Sequence, residues 1–200
     1  FVAGIAPNGT ADWAWVQHMF ASLKENGKAA VVLDTGAVSR GSGNAGSNKE
    51  KDIRKWFIDN DYVDGVLYLP ENLFYNTTAP GIVLFLDKNK PTKKKGKVLL
   101  INASLEFEKG TPKNFIPEEN QKKIASAFSK WKEIEKFSKV ISREEIIQND
   151  YNLSPTRYIH NAEAVEYRPI PQIIEELSVA EEKAQSIDKD LKNILKKIGY

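Results

Sequence analysis

Residues 63–69 read Val63-Asp64-Gly65-Val66-Leu67-Tyr68-Leu69, a short apolar run that predicts a strand buried in a sheet. A second apolar run, Gly81-Ile82-Val83-Leu84-Phe85-Leu86-Asp87, follows a polar loop that shows no helical pattern. Parallel strands need a long crossover, whereas antiparallel strands can be joined by a loop. We therefore expect the second strand to run antiparallel to the first.

A further strand and a helix precede this pair. Residues 28–33, Lys28-Ala29-Ala30-Val31-Val32-Leu33, form another apolar run, which predicts a strand buried on both faces. Ser47 or Asn48 is then predicted to cap a helix before residue 63, in which Ile53, Trp56 and Phe57 lie at helical spacing. Strand, helix and strand in this order predict a parallel crossover, and hence an α/β fold.

Helical patterns dominate both ends of the chain. Near the N-terminus the helical spacing of apolar residues begins at Trp13, and Thr10 or Asp12 is predicted to cap that helix. Residues 98–102 are a fourth candidate strand, and helices are predicted from Pro117 to Trp131 and over 142–148. The last segment carries a heptad pattern that predicts a long helix with one narrow apolar seam: Ile170, Ile173, Leu177, Ala180, Ala184, Ile187, Leu191, Ile194 and Ile198.

Composition excludes several classes of protein. The 200 residues include no cysteine and two histidines, so the sequence predicts no disulfides, no thiolate nucleophile and no metal site. No run approaches the ~18 apolar residues of a membrane span, and no signal peptide opens the chain, so we expect a cytoplasmic protein without membrane contact. A net charge of +2 means that nucleic-acid binding must be argued from local patches.

Two loops carry candidate phosphate-binding residues. Gly41-Ser42-Gly43-Asn44-Ala45-Gly46 satisfies the dinucleotide-binding pattern, but seven residues separate its first glycine from the end of the preceding strand. It is either a phosphate cradle or a loop beside an active site. Residues 88–97 contain six lysines, which indicate either phosphate contact or a solvated hairpin.

Phe74 and Tyr75 stand together in the loop between the two central strands. Such rings can stack on a planar ligand or an extruded nucleobase, and they can equally close the core from the loop. His18, on the first helix, has no partner visible in the sequence and is expected to pack or to lie at the surface.

The chain resembles the modification subunit of type I restriction-modification enzymes, in order along essentially its whole length. The segments that carry the resemblance are Gly9-Thr10-Ala11-Asp12-Trp13-Ala14-Trp15-Val16-Gln17-His18-Met19, Gly27-Lys28-Ala29-Ala30-Val31-Val32-Leu33, Ile53-Arg54-Lys55, Leu69-Pro70-Glu71-Asn72-Leu73-Phe74-Tyr75-Asn76-Thr77 and Asn149-Asp150-Tyr151-Asn152-Leu153. The resemblance implies methyl transfer from S-adenosylmethionine to adenine N6 in duplex DNA.

It also implies the C-terminal half of a Rossmann-like methyltransferase sheet, followed by a helical extension. Residues 28–33, 63–69 and 81–87 resemble the fifth, sixth and seventh strands of that sheet, with the last inserted antiparallel. The strand at 28–33 would then lack its inner neighbour and present a hydrophobic edge. The family's cofactor-binding glycine loop and its Asn-Pro-Pro-aromatic catalytic motif would lie before Phe1, and no Asn-Pro-Pro occurs in the sequence.

The resemblance therefore nominates no catalytic residue, and we expect this chain alone to be inactive. It places other residues around the reaction. Phe74 and Tyr75 are implied to stack on the target base, Asp12 and Trp15 to approach the cofactor, and Gly41, Gly43 and Gly46 to face the target.

Three segments follow from these assignments: the methyltransferase core over 1–110, a helical and extended connector over 111–168, and an assembly helix over 169–200. The resemblance implies duplex DNA, a specificity subunit bound through the 170–198 helix, a second modification subunit and a restriction subunit as partners. Two alternatives stay open: a stand-alone nucleotide-binding module that uses the Gly41 to Gly46 loop, and a helical assembly module with an α/β scaffold.

Overall fold

A computed structural model describes residues 1–44, 48–161 and 170–197. The chain divides into two compact units, residues 1–161 and 162–200. The first unit contains α1 (Asp12–Ser22), β1 (Lys28–Asp34), a 3-10 helix (Thr35–Val38), α2 (Lys49–Asp59), β2 (Val63–Tyr68), β3 (Gly81–Asp87), a 3-10 helix (Thr92–Lys94), β4 (Lys97–Asn102), α3 (Glu118–Lys130), β5 (Ser138–Ser142), α4 (Arg143–Gln148) and α5 (Pro155–Tyr158). The second contains α6 (Ile170–Lys197).

The described strands form one sheet in the order β1-β3-β2-β4-β5. β3 lies between β1 and β2 and runs antiparallel to both, with Leu84 opposite Val31 on one side and Val66 on the other. β2 and β4 are parallel, and β5 is antiparallel to β4. The predicted antiparallel insertion of the third strand is confirmed, as is the α/β class.

Alternating side chains of the central strands supply two hydrophobic layers. Val66, Leu84 and Leu100 face α1, α2 and α4, which cover one side of the sheet. Leu67 and Leu99 face the opposite side, where they pack with residues of α3. A period of two in a strand produces this division, because successive side chains point to opposite faces. Residues on both sides of position 110 contribute to this sheet.

Two details of the sheet differ from the sequence prediction. β1 is not buried on both faces: it pairs with β3 alone among the described strands, and Val32 is 57% exposed. It occupies the sheet edge, as the missing inner neighbour implied. β5 was not predicted, because Ser138-Lys139-Val140-Ile141-Ser142 has too few apolar residues to stand out.

Helix α1 also begins differently. Its N-cap is Ala11, and no side chain caps the helix. The predicted caps Thr10 and Asp12 are wrong, because Asp12 lies inside the first turn and its carboxylate is used in an ion pair described below. Asn48, in contrast, caps α2 by accepting the N–H groups of Glu50 and Lys51.

The lysine-rich segment, residues 88–97, is not a solvated hairpin. β2 lies between β3 and β4, so the segment crosses the end of β2 instead of joining neighbouring strands. Lys90 is buried, and its Nζ donates to Asp61 Oδ1 at 2.7 Å, Val63 O at 3.0 Å and Lys97 O at 2.5 Å. One lysine thus ties the crossover to the start of β2.

The second unit is described as helix α6, which confirms a helical C-terminal extension. Ile170, Ile173, Leu177, Ile187 and Leu191 are exposed along it. The last predicted seam residue, Ile198, lies outside the described residues. No helix in the described ranges is long and apolar enough to cross a membrane.

Candidate functional site

The aromatic loop, residues 70–80, follows the carboxyl end of β2. Two backbone hydrogen bonds close its base, from Leu69 N–H to Gly81 O and from Asn72 N–H to Thr78 O, each at 2.9 Å. Asn72 and Asn76 adopt left-handed backbone conformations, which asparagine tolerates better than most residues. The loop is therefore a closed excursion from the sheet.

A second loop supports the aromatic loop from the side. Lys113 Nζ donates to Asn72 Oδ1 and to Thr77 O, both at 3.2 Å. Asn114 donates its backbone N–H to Asn72 O at 2.9 Å and its side-chain amide to Glu71 O at 3.0 Å. Neither residue is predictable from the sequence, since neither belongs to a recognisable pattern and both act across some 40 positions of the chain.

Phe74 and Tyr75 have different environments. Phe74 is half-buried and packs against the core beneath α3, and a Cβ added to Gly81 would lie 2.9 Å from its ring. The same residue lines a groove of about 250 Å³ with Val32, Leu33 and Pro80, at the carboxyl end of β1. Tyr75 is 80% exposed. Phe74 thus contacts the core and also lines the groove, whereas Tyr75 lies in solvent.

Beside this groove, Arg40 gathers three acidic residues from separate elements. Its guanidinium contacts Asp12 from α1, Asp34 at the end of β1 at 2.9 Å, and Glu50 of α2 at 2.7 Å. The hydrogen bond that Arg40 donates to Glu50 raises the pKa of Arg40 above its ordinary value, and burial partly offsets this rise. The Asp12 carboxylate therefore neutralises part of the Arg40 charge. Trp15, one turn further along α1, is 60% exposed, and the one aromatic ring described in contact with it is that of His18, edge-on.

Arg54 organises the segment that follows β1. The residue is buried, and it donates to Ala37 O at 3.2 Å, Arg40 O at 3.1 Å, Ser42 Oγ at 2.8 Å and Tyr151 O at 2.7 Å. Burial lowers the pKa of Arg54 to about 10. This role is not predictable from the sequence, because an arginine inside an amphipathic helix is usually a surface residue.

Two of the three predicted loop glycines are described, and both are turn residues with φ near +80°. Gly43 donates its N–H to Asp150 Oδ2 at 2.7 Å, and this bond lowers the pKa of Asp150. A Cβ at Gly41 would collide with Asn48. Gly46 lies outside the described residues. The Gly43 amide is already occupied, which disfavours a phosphate cradle at that position.

No group of acidic or histidine residues that suits a metal ion occurs within residues 1–44, 48–161 and 170–197. His18 is exposed, in agreement with the surface position expected for it. The candidate site is therefore an aromatic groove beside a network of arginine and carboxylate groups.

Comparison with known proteins identifies the family of this chain. A model of the family N-6 DNA Methylase matches residues 1–167. The type I restriction enzyme MjaVII methylase subunit of Methanocaldococcus jannaschii is 44% identical over 187 residues, which cover 92% of this chain and 31% of that relative. The HindI methylase subunit of Haemophilus influenzae is 36% identical over 167 residues, covering 80% of this chain and 36% of the relative.

Solved structures of proteins from type I systems are also similar to this chain. The type I restriction-modification methyltransferase subunit from Streptococcus thermophilus superposes with a TM-score of 0.69 and 38% identity, over 76% of this chain and 31% of that one. The EcoKI M protein shares the fold, with a TM-score of 0.59 and 16% sequence identity. The match covers 98% of this chain and 46% of the EcoKI M chain. The chain spans about a third of the length of the curated relatives it matches. The matched residues include all five strands of the sheet, and the chain belongs to the N-6 DNA Methylase family.

Proposed function

We propose that this chain is the C-terminal part of a type I modification subunit, which methylates adenine N6 in duplex DNA with S-adenosylmethionine as methyl donor. Its similarity to type I methylase subunits along 92% of its length carries this proposal. Within the whole subunit, the chain supplies a wall of the target-base pocket and a surface for assembly. Alone it is inactive, because the Asn-Pro-Pro-aromatic motif expected of the family is absent from its sequence.

The groove at Phe74 supports the first of these roles. A flipped base needs an aromatic surface that is rigid and still accessible. Packing against the core and the close approach of Gly81 hold the Phe74 ring, while its groove stays open. Lys113 and Asn114 hold the loop that carries it. Tyr75 is exposed and is assigned a secondary stacking role.

We expect this chain alone not to bind S-adenosylmethionine tightly. The Asp12 carboxylate is engaged by Arg40, and the Trp15 ring is exposed. We therefore assign these two residues a position near the cofactor without a direct bond. Gly41, Gly43 and Gly46 are proposed to face the target DNA, with Gly43 held by Asp150.

Phe74→Ala in the full-length subunit tests the pocket wall. Loss of a stacking surface is worth roughly 1–3 kcal/mol, so methylation efficiency should fall about 5- to 160-fold. Transfer of a radiolabelled methyl group to duplex DNA measures it. Phe74→Tyr keeps a ring and should retain most activity, and Tyr75→Ala should have the smaller effect. If Phe74→Ala lowers thermal stability while activity per folded molecule is unchanged, the ring is a packing residue and the stacking role is wrong.

Helix α6 is proposed to bind the specificity subunit through its apolar seam. The seam residues Leu177 and Leu191 are exposed, and a narrow seam gains most from a partner helix. The double variant Leu177→Glu and Leu191→Glu should abolish co-purification with the specificity subunit. Ser178→Glu with Ser186→Glu adds the same charge off the seam and should leave co-purification intact. Stoichiometric assembly of the seam variant would refute the proposal.

A further inference from the structure

A second basic site lies where the lysine-rich segment meets the end of α3. A groove of about 520 Å³ is lined there by Lys93, Lys94, Lys97, Lys130, Trp131 and Glu133. Lys93, Lys97 and Lys130 are exposed, and none of them forms an ion pair with a residue in the described ranges. Three uncompensated ammonium groups therefore border one concave surface.

The other charges of the groove are engaged in holding its walls. Lys94 Nζ lies 3.1 Å from Asp64 Oδ2 and 4.5 Å from the centre of the Trp131 ring, so its charge is balanced and its position set. Glu133 accepts the Val140 N–H at 3.0 Å. Glu133 keeps its negative charge while it accepts this backbone N–H of β5, and the three exposed lysines outnumber it in the groove.

The groove lies at the opposite end of the sheet from the aromatic loop. Asp64 is near the start of β2, whereas the aromatic loop follows the end of β2. Six strand residues at about 3.3 Å each separate the two places by some 20 Å. A ligand of the lysine groove therefore does not occupy the target-base groove.

We infer that the lysine groove binds the phosphate backbone of duplex DNA outside the target site. Ammonium groups on a surface recognise phosphates through charge, release counterions and carry no sequence information. Such contacts position a duplex on the protein without selecting its bases. The choice of DNA as the polyanion rests on the proposed function.

The test uses the full-length subunit assembled with its specificity subunit, and a fluorescent duplex of random sequence as the probe. The variant Lys93→Gln, Lys97→Gln and Lys130→Gln should reduce the slope of log affinity against log salt by about 2 to 3, since each phosphate contact contributes about 0.9. Affinity at about 0.1 M salt should fall at least tenfold. Arginine at the same three positions keeps the charges and should retain both values.

A matched variant, Lys24→Gln, Lys109→Gln and Lys136→Gln, removes three exposed lysines outside the groove and should leave the slope nearly unchanged. An unchanged slope in the groove variant, or an equal loss in the matched variant, overturns the inference. Loss of subunit assembly with unchanged duplex binding also overturns it and identifies an acidic protein surface as the ligand. Because the assay measures binding to random DNA, failure of the wild type to methylate would affect the proposed function and not this result.

Discussion

Replacement of Arg54 by methionine should unfold the chain at markedly lower denaturant, because one buried guanidinium joins three separate parts of the first unit. Arg54 donates to carbonyls of Ala37, Arg40 and Tyr151, and to Ser42 Oγ. Methionine has a similar length and leaves no large cavity. The substitution therefore isolates the hydrogen bonds from the packing of the side chain.

The magnitude follows from the acceptors that are left behind. Ala37 O still accepts from the Trp13 indole at 2.7 Å, so the carbonyls of Arg40 and Tyr151 are the ones that lose their side-chain donor. A buried acceptor without a partner costs about 1–3 kcal/mol. Burial already disfavours the charged guanidinium, whose pKa is lowered to about 10. Removal of that buried charge is favourable and offsets part of the decrease in the free energy of unfolding. The net decrease in the free energy of unfolding should be about 3 kcal/mol.

Urea unfolding of the chain, followed by tryptophan fluorescence and circular dichroism, measures this change. Arg157→Met is the matched control, since Arg157 is exposed and makes a single described side-chain bond, to Asn149 at 2.8 Å. It should cost less than about 1 kcal/mol. Hydrogen exchange should accelerate first around residues 35–43. A loss below about 1 kcal/mol for Arg54→Met, or equal losses for both variants, would show that the buried bonds do not stabilise this segment.

Lys90→Met should decrease the free energy of unfolding by about 2–4 kcal/mol, because it leaves Asp61 and two carbonyls without the buried ammonium group. Lys93→Met, in the same segment, should decrease it by less than about 0.5 kcal/mol in the same urea assay. Similar effects of the two variants would contradict the structural role of Lys90. Burial raises the pKa of Tyr158 to about 12, above the value of about 10 for an unfolded chain, so its stabilising contribution is complete below pH 10 and is lost as pH rises through 12. An absorbance titration should show a tyrosine ionising near pH 12 that disappears in Tyr158→Phe and persists in Tyr75→Phe; an identical titration in Tyr158→Phe would refute the assignment.

The elements that the sequence predicted well are those whose signal is local. β2 and β3 are continuous apolar runs, so each is recognisable without knowledge of its neighbours, and the short loop between them indicates an antiparallel pair. α2 combines helical spacing with Asn48, whose capping bonds involve residues two and three positions away. The family resemblance also rests on short contiguous segments, which a linear sequence displays directly.

Strand burial and the roles of the buried charged side chains depend on residues far apart in the sequence, so only the tertiary structure decides them. An apolar run at residues 28–33 does not reveal that its strand lies at the sheet edge, because burial depends on which strand pairs beside it. Lys90, Arg54 and Arg40 look like solvated surface charges in the sequence, and they become structural through carboxylates and carbonyls up to 97 positions away. Desolvation of a charge is tolerated only where such partners converge, and their convergence is a property of the folded chain.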